Sequence, residues 1–191
     1  NDIANNIYFK SLVLYSGALN DQKMKLLFRG LTRSNTIRDT QLFENGFSVA
    51  GVRSMVSFLQ NANNLKKLDV GGNNIQSEGF SMLLRALCDS PIEMLCCIGC
   101  GIESIGIDTG SIPRRLKNLR LNDNSINAAG CRELAKLLQG RDSTLEILTL
   151  ADNNIQDEGT EILAAALQNN TSLMHLDVKH NNISIEGKVM M

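Results

Sequence analysis

The chain has 191 residues with 19 Lys+Arg against 20 Asp+Glu, 43% hydrophobic residues, no Trp and two Pro, the size of one domain or one piece of an array. Near-neutral charge removes the simplest argument for nucleic acid or an anionic membrane surface as partner, and no run approaches the roughly 18 apolar residues of a membrane span. Five Cys are too few for a disulfide-dense scaffold and odd in number, so a reducing, intracellular and cytoplasmic setting is expected. Sequons at Asn169, Asn170 and Asn182 are the one counter-indication toward secretion.

In chain order, one frame recurs. It starts weakly at Phe9/Leu12/Leu14/Gly17/Leu19 and Ile37/Thr40/Leu42/Asn45/Phe47, then sharpens at Leu65/Leu68/Val70/Asn73/Ile75. Ile92/Leu95/Cys97/Cys100/Ile102 and Leu116/Leu119/Leu121/Asn124/Ile126 follow. Leu145/Leu148/Leu150/Asn153/Ile155 and Leu173/Leu176/Val178/Asn181/Ile183 state it fully, as L-x-x-L-x-L-x-x-N-x-I. The units start at 9, 37, 65, 92, 116, 145 and 173, with spacings of 28, 28, 27, 24, 29 and 28 by subtraction. Self-similarity at such a period means a stacked array, in which no unit buries its apolar face alone.

The second half of each unit predicts a helix. Gly stands fifteenth at Gly51, Gly79, Gly130, Gly159 and Gly187, and apolar pairs follow at i, i+4: Met55/Leu59, Leu83/Leu87, Leu134/Leu138 and Leu163/Leu167, with Leu27/Leu31 in the first unit. Acidic residues before the Gly, such as Glu78, Asp157, Glu158 and Glu186, suit a helix N-terminus. The fourth unit departs from this. Its 24 residues contain GIESIGIDTGSIPRR, whose Gly, β-branched residues and Pro113 argue for an extended or 3₁₀ segment with Ile105, Ile107 and Ile112 filling the core.

Over Phe9 to the end, these units resemble the leucine-rich repeats of the ribonuclease-inhibitor-like class, which includes the Ran GTPase-activating protein and the repeat region of NOD-like receptors. The resemblance implies an α/β solenoid, a horseshoe or arc of about seven repeats near 28 residues, strands concave and helices convex. It makes residues 1–191 a single leucine-rich repeat domain, capped in front by Asn1 to Ile7. The unfinished seventh unit predicts a fragment or an incompletely capped end. Asn45, Asn73, Asn124, Asn153 and Asn181 are expected to form a buried ladder bonding the turns of adjacent units.

If the frame's apolar positions face the core, the residues between them face the concave side. There Tyr15 and Phe43 form an aromatic pair on neighbouring strands. Met94 and Ile98 form an apolar island between strands carrying Lys67/Asp69 and Arg120/Asp123. His175, Asp177 and His180 share the inner face of the last unit and read as a solvated polar surface, with His175 and Asp177 counted among the partner-facing residues. Apolar anchors rimmed by polar groups are what protein-binding hot spots look like. Cys96, Cys97 and Cys100 lack the paired spacing of a zinc site, so packing explains them, with Cys96 the candidate for an exposed reactive thiol. No phosphate loop, G-x-S-x-G or HExxH occurs, so neither an enzyme nor a cofactor is expected.

The expected function is a non-catalytic scaffold holding a protein partner on its concave face, alone or as a subunit of a larger complex. The resemblance adds two alternatives, an activator of a small GTPase, with Arg29, Arg33 and Arg38 as places to look, and the sensor portion of a NOD-like receptor. Ribonuclease inhibition itself is disfavoured by the few Cys and the weak acidity.

Overall fold

The computed structural model describes residues 8–17, 19–107, 113–139 and 143–189. Each frame begins with a three-residue strand: β1 (Ser11–Val13), β2 (Asp39–Gln41), β3 (Lys67–Asp69), β4 (Met94–Cys96), β5 (Asn118–Arg120), β6 (Ile147–Thr149) and β7 (His175–Asp177). They form one open parallel sheet in sequence order. Register is continuous from end to end: Leu12, Thr40, Leu68, Leu95, Leu119, Leu148 and Leu176 sit side by side in its central row. That row turns into the core, and alternation turns its neighbours outward.

The helices return on the other side: α1 (Asp21–Leu31), α2 (Val49–Asn61), α3 (Gln76–Leu87), α4 (Ala128–Gln139), α5 (Gln156–Leu167) and the short α6 (Ile185–Val189). Adjacent units share their helix starts. Asp21 of α1 accepts the Ser48 N–H and hydroxyl, both at 2.8 Å, and Asp157 of α5 accepts the Ser184 N–H at 2.8 Å. The Gln76 and Gln156 N–H groups donate at 3.0 Å to Cys100 and Asn181 carbonyls of the following units. Free N–H groups at a helix start attract such acceptors. The fifteenth-position glycine has a packing reason: a Cβ on Gly159 would lie 2.6 Å from Ile155 Cγ2 and 3.0 Å from Cys131 Sγ. In α1 the buried residues are Met24, Phe28 and Leu31, whereas Leu27 of the expected pair is half-buried. Phe28 takes its place by packing on Phe58 at 5.2 Å between ring centroids.

The asparagine ladder is present. Asn73 accepts the Asn45 and Gly46 N–H groups, both at 2.9 Å, and its Nδ2 donates to the Leu42, Val70 and Gly71 carbonyls at 2.8 to 3.0 Å. Asn45, Asn124, Asn153 and Asn181 repeat this between their own neighbours. Cys100 replaces the ladder residue in the fourth unit, and its thiol lies 3.4 Å from the Val70 carbonyl and 3.6 Å from that of Ile98. It keeps a weak donor but loses the acceptor.

Residues 101–107 of the fourth unit form neither helix nor strand, and Ile105 and Ile107 are buried as expected. Ser77 Oγ of α3 accepts the Glu103 and Ser104 N–H groups at 3.1 and 3.0 Å, and Glu133 of α4 accepts the Ile107 N–H at 2.9 Å. Residues 101–107 are thus tied to both α3 and α4 without forming a helix. The expectations placed on Ile112 and on the cap Asn1 to Ile7 lie outside the described residues, as do residues 108–112 of the expected extended or 3₁₀ segment.

Candidate functional site

The outward side chains of the sheet are exposed or half-buried on every strand, Cys96 excepted. Across it the third-position column reads Ser11, Asp39, Lys67, Met94, Asn118, Ile147, His175, and the fifth reads Val13, Gln41, Asp69, Cys96, Arg120, Thr149, Asp177. Lys67, Asp69, Met94, Arg120, His175 and Asp177 therefore lie where alternation put them. Tyr15, Phe43, Ile98 and Asp123 follow in the turns leaving the strands.

The aromatic pair divides. The Tyr15 hydroxyl donates to Gln41 Oε1 at 2.6 Å, and Gln41 Nε2 donates to Asp39 Oδ2 at 3.0 Å. Asp39 Oδ1 is buried without a partner among the described residues. Phe43 instead extends to the next unit, where its Cδ2 lies 3.1 Å from the position a Gly71 Cβ would take. The Ile98 carbonyl oxygen lies 3.1 Å from that same position. Gly71 therefore lies packed between the Phe43 ring and the Ile98 carbonyl, where a side chain would collide with both. Neither the role of Gly71 nor the Tyr15–Gln41–Asp39 chain was read from the sequence, although the Gly71-Gly72 pair at two normally occupied positions was its signal.

Cys96 is not the exposed thiol that alternation suggested. It faces inward but is 4% exposed, and burial, reinforced by the Asp69 carboxylate, pushes its thiol up to about 12. Cys97 and Cys100 are buried in the core, and Cys131 is buried with its thiol pushed up to about 12 by desolvation. Cys88, at the end of α3, is the half-buried one. Among the described residues no three His, Cys, Asp or Glu side chains are grouped as a metal would require.

Several carboxylates are paired, as in Arg53–Glu78 at 3.1 Å, Lys66–Glu93 at 2.6 Å, Lys117–Glu146 at 2.8 Å, Arg132–Glu158 and Lys136–Glu133 at 2.7 Å. The Lys66 ammonium holds the Glu93 carboxyl below the usual range. On the inner rim Glu44, Asp123 and Asp152 are exposed and have no ion-pair partner among the described residues. All three adopt the left-handed backbone, with φ of 52 to 55°. His175 and His180 are exposed, and Lys179 lies 4.0 Å from Asp177, which fits the solvated polar surface expected there.

The Leucine Rich repeat family profile matches residues 61–84, 141–164 and 169–187. Pig (Sus scrofa) ribonuclease inhibitor is 28% identical over 99% of this chain and 43% of its own length. The chain is a leucine-rich repeat protein of the ribonuclease-inhibitor-like class. Human NACHT, LRR and PYD domains-containing protein 5 is 30% identical over 94% of the chain and 16% of that protein. This leucine-rich repeat protein therefore spans less than half the length of these curated relatives. Among solved structures, the Caenorhabditis elegans tropomodulin C-terminal domain aligns over 98% of the chain and 83% of that domain, with 13% identity and a TM-score of 0.46. Repeat proteins of this kind use their extended curved surfaces for protein–protein interaction. No described helix of this one is long and apolar enough to cross a membrane.

Proposed function

We propose that the chain is a single leucine-rich repeat domain acting as a non-catalytic scaffold that holds a protein partner against the inner face of its sheet. The observation that carries this reading is the open face between Phe43 and Ile98, where half-exposed apolar side chains adjoin charges with no internal partner. Met94, Ile98 and Phe43 would be the buried anchors, with Lys67, Asp69, Arg120 and Asp123 around them; Tyr15, His175 and Asp177 would extend the contact toward the two ends. Desolvated apolar centres carry most interface energy, while rim charges set orientation and rate.

The test is affinity capture from an extract with the unaltered chain and with a Met94→Asp/Ile98→Asp double variant, its folding verified by circular dichroism. A protein retained by the first and lost with the second supports the inner face as the site. An unchanged set of captured proteins rejects it. A second reading, that the chain is the repeat portion of a larger receptor-type protein, is supported by the match to the NACHT- and PYD-containing relative. The full coding sequence decides it by the presence or absence of a nucleotide-binding region.

A further inference from the structure

The near-zero net charge conceals a segregation along the chain. The whole sequence balances 19 Lys+Arg against 20 Asp+Glu, yet residues 8–38 hold Lys10, Lys23, Lys25, Arg29, Arg33 and Arg38 against Asp21 alone. All other residues together carry 13 cations against 19 anions. Asp21 is itself engaged by the Ser48 N–H and hydroxyl at the shared helix start. Charge concentrated in one part of a chain points to a partner of opposite sign.

Helix α1 decides where these cations stand. Its buried residues are Met24, Phe28 and Leu31, so the helical period turns Gln22, Lys25, Leu26 and Arg29 to solvent, and exposed Arg33 follows four residues after Arg29. Leu26, in the middle of this stripe, is 70% exposed. Lys25, Arg29 and Arg33 have no ion-pair partner among the described residues. By contrast, Arg53 of α2 and Arg132 and Lys136 of α4 each meet a glutamate. The helix macrodipole accounts for Arg29 in the last turn of α1 but not for Lys25 in its first half, and the two repel at i, i+4. The stripe is an uncompensated cationic surface around one apolar side chain.

Its width selects among anionic partners. Glu78 of α3 and Glu158 and Glu161 of α5 are exposed, so a long polyanion or a lipid surface spreading along the helices meets carboxylates beyond the first unit. A phosphate backbone also offers Leu26 no apolar mate. A short acidic protein segment with an apolar residue among its carboxylates satisfies both features, because charge steers and orients while the apolar contact holds.

We propose that the solvent face of α1 docks an acidic segment of a protein partner, its carboxylates on Lys25, Arg29 and Arg33 and an apolar side chain against Leu26. This surface lies on the helix side of the array and is separate from the inner face of the sheet.

The probe is the blocked peptide acetyl-Glu-Glu-Leu-Glu-Glu-amide, titrated into isotope-labelled protein beside its Lys-for-Glu and Ser-for-Leu counterparts, with amide shifts followed by NMR. Saturable shifts are expected at Lys25, Leu26, Arg29 and Arg33, at least about tenfold tighter than for the Lys counterpart. Affinity should fall at least about threefold between ~0.02 M and ~0.2 M salt. Lys25→Gln/Arg29→Gln should abolish the preference; both positions are exposed and Gln sustains a helix about as well as Lys or Arg, so the fold is kept. Leu26→Gln should reduce the Leu peptide to the affinity of the Ser one. Met94→Asp/Ile98→Asp should bind the peptide undiminished, and a loss there would move the contact to the inner face and overturn the proposal. It is equally overturned by equal binding of the Glu and Lys peptides, by a preference that survives Lys25→Gln/Arg29→Gln, or by no saturable shift up to about 10 mM. Tighter engagement of the same amides by phosphatidylserine vesicles or by a DNA oligonucleotide would replace the acidic segment with a membrane or a nucleic acid.

Discussion

A thiol reacts as its thiolate, so burial matters twice, by blocking the reagent and by keeping the proton on sulfur. Cys96 and Cys131, both pushed up to about 12, combine the two effects. Cys88 is raised by desolvation as well, with Asp89 reinforcing it, yet it alone retains appreciable exposure. Titration of the native chain with an aromatic disulfide reagent at pH 8 is expected to show one faster thiol, abolished by Cys88→Ser, and four that react only on unfolding. Rapid reaction of Cys96 would contradict the burial. Thr40 offers a different test. It occupies the central core row between Leu12 and Leu68, and its hydroxyl is buried with no hydrogen-bond partner. Thr40→Val keeps the shape and removes the unsatisfied group, so stability should rise by about 1 kcal/mol, with the melting temperature up by about 2–4 °C.

At the scale of elements, the fourth unit shows how a solenoid continues where residues 101–107 form no helix. The strand register through β4 is unbroken, so the sheet and the ladder carry the stacking across the gap. The convex side is held by single hydrogen bonds, among them Ile107 N–H to Glu133. The Glu133 carboxyl is held below the usual carboxylate range, first by the Lys136 ammonium and second by that N–H. A folded value below the unfolded one gives stability that is present above the unfolded value and is lost as pH falls through the folded value. The Ile107 amide shift is therefore expected to titrate at a pH lower than that of an ordinary glutamate. In Glu133→Gln the acidic step at Ile107 should vanish; if it persisted unchanged, another group would be responsible.

Across the whole molecule, the two sides of each unit are unequally buried at the far end. Leu148 and Leu150 of the sixth unit are fully buried, whereas Leu176 and Val178 at the same positions of the seventh are half-buried. A concavity lined by Leu176, Val178, Asn181 and Ile183 opens along the β7 edge. In a linear array each unit is stabilised chiefly by its neighbours, so a unit flanked on one side opens more easily. Native-state hydrogen exchange of this chain is expected to show weaker protection over Leu173 to Val189 than around Leu119 to Leu121. Equal protection would mean that the seventh unit draws stability from contacts other than stacking.

The repeat frame, the seven strands, the asparagine ladder and the non-helical residues 101–107 of the fourth unit were legible in the sequence because each depends on local spacing. A period of about 28 residues with Leu, Asn and Gly at set positions is a one-dimensional property, and stacking transmits it directly into register. The candidate surface was legible only as a list of outward-facing positions. Which of those residues meet was decided by packing between neighbouring units. Tyr15 turns to Gln41, Phe43 reaches over Gly71 toward Ile98, and Cys96 sinks beneath its neighbours. Alternation determines the face a side chain leaves from; the size of the residues beside it in adjacent strands determines where it comes to rest.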